Sequence, residues 1–251
     1  MRIAVDTHVH VYPSFTVARL LAAAYRHLAR LVPEAGVRAV CLTERAGHTA
    51  FAGLADGSLR VPGWTVQATT ETNLMGVTSA AGETLYVLAG RQIVTAERLE
   101  VLALGTDERW PDGAPVRDVV ARVRAAHALP VLPWGLGKWL GARGALMQQL
   151  VTEAQPGDFA LADTYLLPVL ARRPGLIRRA EKRGFRILAG TDPLGRRGEE
   201  ELAGRYGVSL EGPWDPAAPA TSLLNLLRDP AVPLRTIGRR GSLGDTLKRM
   251  R

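Results

Sequence analysis

The stretch RIAVDTHVHVYP, residues 2–13, decides the fold and the candidate site predicted for this chain. Its apolar and β-branched residues predict a buried β-strand. Side chains alternate between the two faces of a strand, so Asp6, His8 and His10 are predicted to point the same way. Neutral imidazoles and a carboxylate suit zinc, iron or manganese. The alternative is a strand whose histidines are merely hydrogen-bonded, but three such residues so close together favour a metal site.

Length and composition limit the possible classes of protein. The chain has 251 residues, of which 47% are hydrophobic, which fits one large α/β barrel or two small domains. It contains no run of about 18 apolar residues, so no membrane span is expected. It also begins without a charged and then apolar leader, so no signal peptide is expected. The single cysteine, Cys41, excludes an internal disulfide, and a cytoplasmic location is predicted.

The positive charge is concentrated near the C-terminus. The net charge is +8, and six basic residues against one acidic residue, Asp245, place +5 of it from residue 235 onwards. The basic residues are Arg235, Arg239, Arg240, Lys248, Arg249 and Arg251. No aromatic residue is interleaved with them for base stacking, so the pattern does not favour nucleic-acid binding. Residues 239–251 are predicted to form a basic C-terminal tail.

Short apolar runs typical of strands alternate with segments of helical periodicity along most of the chain. Residues 64–95 instead predict a hairpin or meander. The other predicted strands and helices include strands at 38–45, 129–135, 159–164, 185–193 and 234–238, and helices at 14–32, 116–128, 145–153, 176–182 and 221–227. About seven short strands that alternate with helices predict a parallel sheet. We therefore expect residues 1–238 to form one distorted (β/α)7-8 TIM-like barrel, with its polar strand ends on one rim.

The polar motifs at these strand ends resemble those of two families. Asp6-Thr7-His8-Val9-His10 resembles the first-strand motif of the metal-dependent amidohydrolase superfamily and of the polymerase-and-histidinol-phosphatase (PHP) family. Residues 42–45, 88–93, 100–105 and 188–193 fall where PHP proteins carry further ligand motifs. The resemblance implies a PHP- or amidohydrolase-type barrel with divalent metal at its rim.

The chain departs from the PHP pattern at several positions. Glu44-Arg45 stands where the family has an Asp-His pair, Gln92 replaces a bridging Glu, and Glu100 replaces a His. The resemblance therefore implies a reduced site with one or two ions of manganese, zinc or iron. The implied ligands are His8, His10 and Asp192, with Asp6, Glu44 and Glu100 as further candidates.

The resulting hypothesis is a metal-dependent hydrolase, in the first place a phosphoesterase that uses a metal-activated water. Asp192 and Glu44 are the candidate catalytic residues, with Asp192 as the base. Arg45, Lys138 and Arg143 are candidates for binding a small anionic substrate such as a phosphate ester. Two alternatives stay open: an amidohydrolase-type hydrolase or decarboxylase, and a barrel that has lost catalysis and acts as a binding protein.

Overall fold

The chain forms a mixed α/β structure. The computed structural model describes residues 1–135, 137–242 and 244. The strands in these residues are β1 (Arg2–Val9), β2 (Val37–Leu42), β3 (Trp64–Ala68), β4 (Leu74–Ser79), β5 (Thr84–Leu88), β6 (Gly90–Val94), β7 (Glu100–Leu104), β8 (Leu129–Pro133), β9 (Ala160–Thr164), β10 (Ile187–Gly190), β11 (Tyr206–Glu211) and β12 (Leu234–Gly238). The helices are α1 (Val17–Leu31), α2 (Ala50–Asp56), α3 (Val116–Ala125), α4 (Gly141–Glu153), α5 (Gly175–Lys182) and α6 (Pro219–Arg228), with a short 3-10 helix at Glu199–Leu202.

The strands form two sheets. The first has the order β12-β11-β1-β2-β5-β4-β3, and the second has the order β10-β9-β8-β7-β6. In the first sheet, β1 is parallel to β2 and antiparallel to β11. In the second sheet, β8, β9 and β10 are parallel, whereas β7 is antiparallel to both β6 and β8. The first strand of the chain therefore lies inside the larger sheet, between two partners.

The predicted TIM-like barrel of the PHP or amidohydrolase type is wrong, because both sheets are open. A closed barrel pairs every strand on both sides. The ladders instead end at β3 and β12 in the first sheet, and at β6 and β10 in the second. The described residues also form more strands than the seven expected. A short apolar strand has the same composition whether its neighbours are parallel or antiparallel, so composition did not reveal the antiparallel pairs.

The predicted meander after residue 64 is confirmed. Strands β3, β4 and β5 pair in antiparallel succession. A tight turn joins β4 to β5, in which the Ser79 N–H donates to the carbonyl oxygen of Glu83 at 2.9 Å. This connection needs no helix, and it is one reason why the strand-helix alternation of a barrel breaks down here.

The two sheets adjoin at the C-terminal ends of β1 and β2. The Glu44 N–H donates to the Gly90 carbonyl at 3.0 Å, and the Gln92 N–H donates to the Glu44 carbonyl at 2.9 Å. Beyond β10, the Asp192 N–H donates to the carbonyl of His8 at 2.8 Å. Buried residues from both sheets and from α6 form one core cluster between them. This junction brings together the strand ends that carry the predicted site.

Two further predictions concern a membrane span, which was not expected, and the basic C-terminal tail. Among the described residues, no helix is both long and apolar enough to cross a membrane. The cytoplasmic location and the absence of nucleic-acid binding stay predictions. Of the predicted basic tail, Lys248, Arg249 and Arg251 lie outside the described residues.

Candidate metal centre

Three side chains from two strand ends converge at the junction of the sheets. His8 lies near the end of β1, His10 follows that strand, and Asp192 follows β10. The Nε2 atoms of His8 and His10 are 3.1 Å apart. Oδ1 of Asp192 lies 3.5 Å from Nε2 of His8 and 3.4 Å from Nε2 of His10. Both histidines are buried. These three residues can bind a metal ion.

The spacing of these three atoms fits a single divalent ion. Ligand atoms that lie about 2.1 Å from a tetrahedral metal are about 3.4 Å from one another. The separations of 3.1, 3.4 and 3.5 Å are close to that value. Burial lowers the pKa of His8 to about 4, although the Asp192 carboxylate acts in the opposite direction. The ring is therefore neutral near pH 7 and can offer a lone pair to a metal.

An irregularity in β1 decides which of its side chains reach this centre. The register between β1 and β2 shifts between Asp6 and Val9. Ala4 and Val9 both belong to the core cluster around α1, although an odd number of positions separates them. In a regular strand such residues would face opposite sides. The shift therefore turns His8 and His10 away from the face that carries Asp6.

Asp6, a predicted metal ligand, lies outside the three-residue centre and is hydrogen-bonded to the backbone next to it. Its carboxylate accepts hydrogen bonds from the N–H groups of Thr191 at 2.9 Å and Gly204 at 2.8 Å, and from the Thr191 hydroxyl. Burial raises the pKa of Asp6 to about 6, and these hydrogen bonds act in the opposite direction. Asp6 thus holds the residue that precedes Asp192.

Close approach of the two backbones positions Asp192. A Cβ atom on Gly190 would lie 2.4 Å from Cβ of His8 and 2.6 Å from its backbone nitrogen. Only glycine therefore permits β10 to come this close to β1. Asp192 has a φ of 50°, in the left-handed region that residues other than glycine rarely adopt. The hydrogen bond from the Asp192 N–H to the His8 carbonyl holds this conformation next to His8, which Asp192 meets in the metal centre.

Glu44, a predicted catalytic residue, is buried beside other partners. Its Oε2 atom accepts from Nη1 of Arg91 at 2.9 Å, and its Oε1 atom accepts from the N–H of Phe51 at 3.0 Å. Arg91 also lies 3.0 Å from Oδ1 of Asp107. The structure thus places Glu44 in an ion-pair network at the start of α2, outside the three-residue centre.

Glu100 and Lys138 form an ion pair at the edge of the centre. Glu100, a predicted ligand, also accepts from Nε2 of Gln92 at 3.3 Å. It does not belong to the three-residue centre. Lys138, a predicted substrate-binding residue, is close enough that its charge adds to the effect of burial in lowering the pKa of His8.

The two predicted substrate-binding arginines lie in different places. Arg45 lies close enough to Tyr12 for its charge to act against the raised pKa of that side chain, and the Tyr12 ring centroid is 5.4 Å from that of His10. Arg143 instead donates from Nη2 to the Gly137 carbonyl at 3.0 Å, within the glycine-rich loop after β8. The structure therefore places Arg45 beside the centre and occupies Arg143 with backbone contacts. Leu136 of the same loop lies outside the described residues.

Sequence reasoning missed Tyr12 as part of the site. Burial raises the pKa of Tyr12, the Asp192 charge adds to this effect, and Arg45 opposes it. Tyr12 follows the two histidines at the same two-residue spacing, and this spacing was the available signal. Gln92 was also missed, and its side chain interacts with His8. From the sequence, Gln92 is recognisable only as a replacement for a family ligand.

Fold and site together define a mixed α/β protein with two open sheets and a His-His-Asp centre at their junction. No protein-family model matches the sequence, and no curated protein matches it. The structure is similar to that of PsfC from Pseudomonas syringae PB-5123, with a TM-score of 0.63 and 18% identity over 99% of this chain and 95% of that chain. Identity this low shows likeness of fold alone. The predicted PHP or amidohydrolase membership is contradicted, because no family model matches and the sheets do not form the barrel of those families.

Proposed function

We propose that this chain is a metal-dependent hydrolase of small anionic esters, with phosphate esters as the first substrate class. The observation that carries the proposal is the buried convergence of His8, His10 and Asp192. One divalent ion held by these residues (zinc, manganese or iron) would supply Lewis acidity and an activated water. The remaining steps are assigned to side chains of this chain.

We assign to Asp192 the role of accepting a proton from the attacking water. Its side chain is 14% exposed, whereas that of His8 is 1% exposed. The carboxylate therefore faces the side from which water and substrate would enter, while the histidines lie behind it. A carboxylate in that position suits general-base catalysis. Glu44 is not assigned this role, because both of its oxygen atoms already accept hydrogen bonds.

Two cations near the centre support an anionic substrate. The Lys138 charge contributes to lowering the pKa of His8, and the Arg45 charge acts to lower the pKa of Tyr12. Arg45 is exposed and its guanidinium can bind two oxygen atoms of a phosphate or carboxylate at once. Lys138 is held by Glu100, so its ammonium acts as a fixed point charge at the edge of the site.

The first experiment measures metal content in the full-length protein, purified without chelators or metal-affinity resin. We expect about one equivalent of zinc, manganese or iron per chain, since three ligands suit one ion. The double variant His8→Ala, His10→Ala should lose this metal. The exposed histidine His127 supplies the matched control, and His127→Asn should keep the metal.

Hydrolysis assays then follow on the metal-loaded protein, first with phosphate esters and then with amides and lactones. Hydrolysis that is lost on metal removal and in Asp192→Asn supports the proposal. Metal binding without hydrolysis would favour a binding protein. Hydrolysis of amides or lactones alone would replace phosphate esters with these compounds as the substrate class. Absence of metal in the wild type, even after addition of zinc and manganese, would overturn the proposal.

A further inference from the structure

A cavity near the metal centre is lined by Arg45 and by several side chains to which the proposed chemistry gives no role. It has a volume of about 250 Å³, and its wall includes Arg45, His48, Gln92, Arg109 and Trp110. A second cavity of about 210 Å³ shares Arg45, His48 and Gln92 with it. The two cavities therefore adjoin along a common wall.

This wall also borders the metal centre. The Gln92 side chain interacts with His8 and is itself buried. The ring of His48 packs edge-on against that of Tyr12 at a centroid distance of 5.6 Å. Tyr12 in turn lies 5.4 Å from the ring of His10. The cavity wall and the metal centre are therefore neighbours through Gln92 and through the His48–Tyr12 ring pair.

The charges around the cavity are unequally compensated. Arg91 is paired with Glu44 and Asp107, so its positive charge is compensated. Arg45 and Arg109 are exposed, and in the described part of the chain neither forms an ion pair with a carboxylate. Among the described residues, the cavity therefore keeps two guanidinium groups without an ion-pair partner, and Arg45 is the one nearer to the metal centre.

We propose that this cavity is the subsite for the leaving group of the substrate, and that this group is an aromatic alcohol that carries a carboxylate. The half-buried Trp110 offers a flat apolar wall for the ring, and Arg109 offers a planar fork for the carboxylate. This inference rests on the proposed function. In hydrolysis a P–O bond forms from water, the P–O bond to the leaving alcohol breaks, and that alcohol takes up a proton. The subsite holds the resulting phenol.

Binding of the leaving group alone tests the subsite without hydrolysis. The full-length protein, treated with EDTA, is titrated by calorimetry with 4-hydroxybenzoate and with phenol. We expect 4-hydroxybenzoate to bind roughly tenfold more tightly than phenol, because a guanidinium–carboxylate pair strengthens binding. Arg109→Gln should remove this difference. The matched control is Arg178→Gln, which neutralises an exposed arginine on α5 and should leave the difference unchanged.

Kinetics on the metal-loaded protein supply the second measurement. The kcat/KM for 4-carboxyphenyl phosphate should exceed that for phenyl phosphate roughly tenfold, mainly through KM, and Arg109→Gln should abolish the advantage. If 4-hydroxybenzoate and phenol bind equally, or if Arg178→Gln removes the difference in affinity as Arg109→Gln does, the proposed subsite is overturned. Hydrolysis of both esters would in that case still support the proposed function. Arg109-dependent binding of 4-hydroxybenzoate without any ester hydrolysis would overturn the proposed function and keep the binding site.

Discussion

Two buried polar clusters of this protein differ in the groups that surround their charged atoms. In the first, the fully buried Asp163 accepts on Oδ2 from Nε of Arg173 and Nε of Arg240, both at 3.1 Å, and from the Tyr206 hydroxyl at 3.0 Å. In the second, two imidazole nitrogens and a carboxylate oxygen face one another at 3.1 to 3.5 Å. The first cluster carries its own counter-charges, whereas the second gathers atoms that could ligate a metal ion.

The difference separates a structural cluster from a binding centre. Burial of a carboxylate is tolerated when charged donors surround it, as they surround Asp163. Arg240 comes from the segment after β12, so this cluster also ties that segment to the body of the protein. Two imidazole nitrogens and a carboxylate oxygen that converge are a donor set that suits a metal cation. The two clusters should therefore respond differently to mutation and to metal.

The largest effect on folding is expected from Asp163→Asn. This change leaves Arg173 and Arg240 without their shared counter-ion, and loss of one partner from a buried ion pair costs about 3 to 5 kcal/mol. Urea denaturation measures the free energy of unfolding. Metal affinity of the folded variant should equal that of the wild type. A loss below about 1 kcal/mol, as for exposed pairs, would show that the Asp163 cluster is not structural.

Metal should stabilise the protein through the second cluster alone. At a free metal concentration 100 times the dissociation constant, the free energy of unfolding should rise by about 2.7 kcal/mol. Thermal unfolding with and without EDTA measures this rise. The variant His8→Ala, His10→Ala should show none of it, and Asp163→Asn should show all of it. Equal stabilisation of the wild type and the double histidine variant would place the metal elsewhere.

Gly190→Ala should damage the metal centre by forcing its two strands apart. The new Cβ would meet Cβ of His8, and such overpacking costs about 1 to 3 kcal/mol. Metal affinity should fall at least tenfold, because the separation of His8 and Asp192 changes; titration with zinc measures it. The control is Gly175→Ala, where no atom lies within 4 Å of the added Cβ and affinity should not change.

A smaller effect is expected from Arg240→Gln. Asp163 keeps Arg173 and the Tyr206 hydroxyl, but the change removes the charged hydrogen bond to Asp163 and the bond to the Ala171 carbonyl, so the loss should be about 2 kcal/mol. Urea denaturation measures the change, and metal affinity serves as the internal control. A loss as large as that of Asp163→Asn would mean that the C-terminal segment, rather than the carboxylate, organises this cluster.

Much of the metal centre could be predicted from sequence. His8 and His10 lie two residues apart, so they share a face of any extended strand. Asp192 follows an apolar strand, at a place where side chains leave the sheet. These properties are local, and the structure brings the three residues together in an arrangement that could hold a metal ion. The metal and the number of ions stay part of the proposal.

The other candidate ligands could not be assigned in this way. Asp6 shares the spacing of the histidines, but the register shift in β1 places it on the other face. Glu44 meets Arg91 and Glu100 meets Lys138, each across a long stretch of chain. A carboxylate looks equally free in a sequence whether or not a distant cation neutralises it.

The sequence by itself determined the strand-forming first segment, the paired histidines and the meander after residue 64, because these depend on residue types at short spacing. Only the tertiary structure decided that the strands form two open sheets and that Gly190 lets Asp192 reach His8. Those features depend on strand pairing, register and partners from distant parts of the chain. Such contacts form only when the whole chain packs, and no local pattern encodes them.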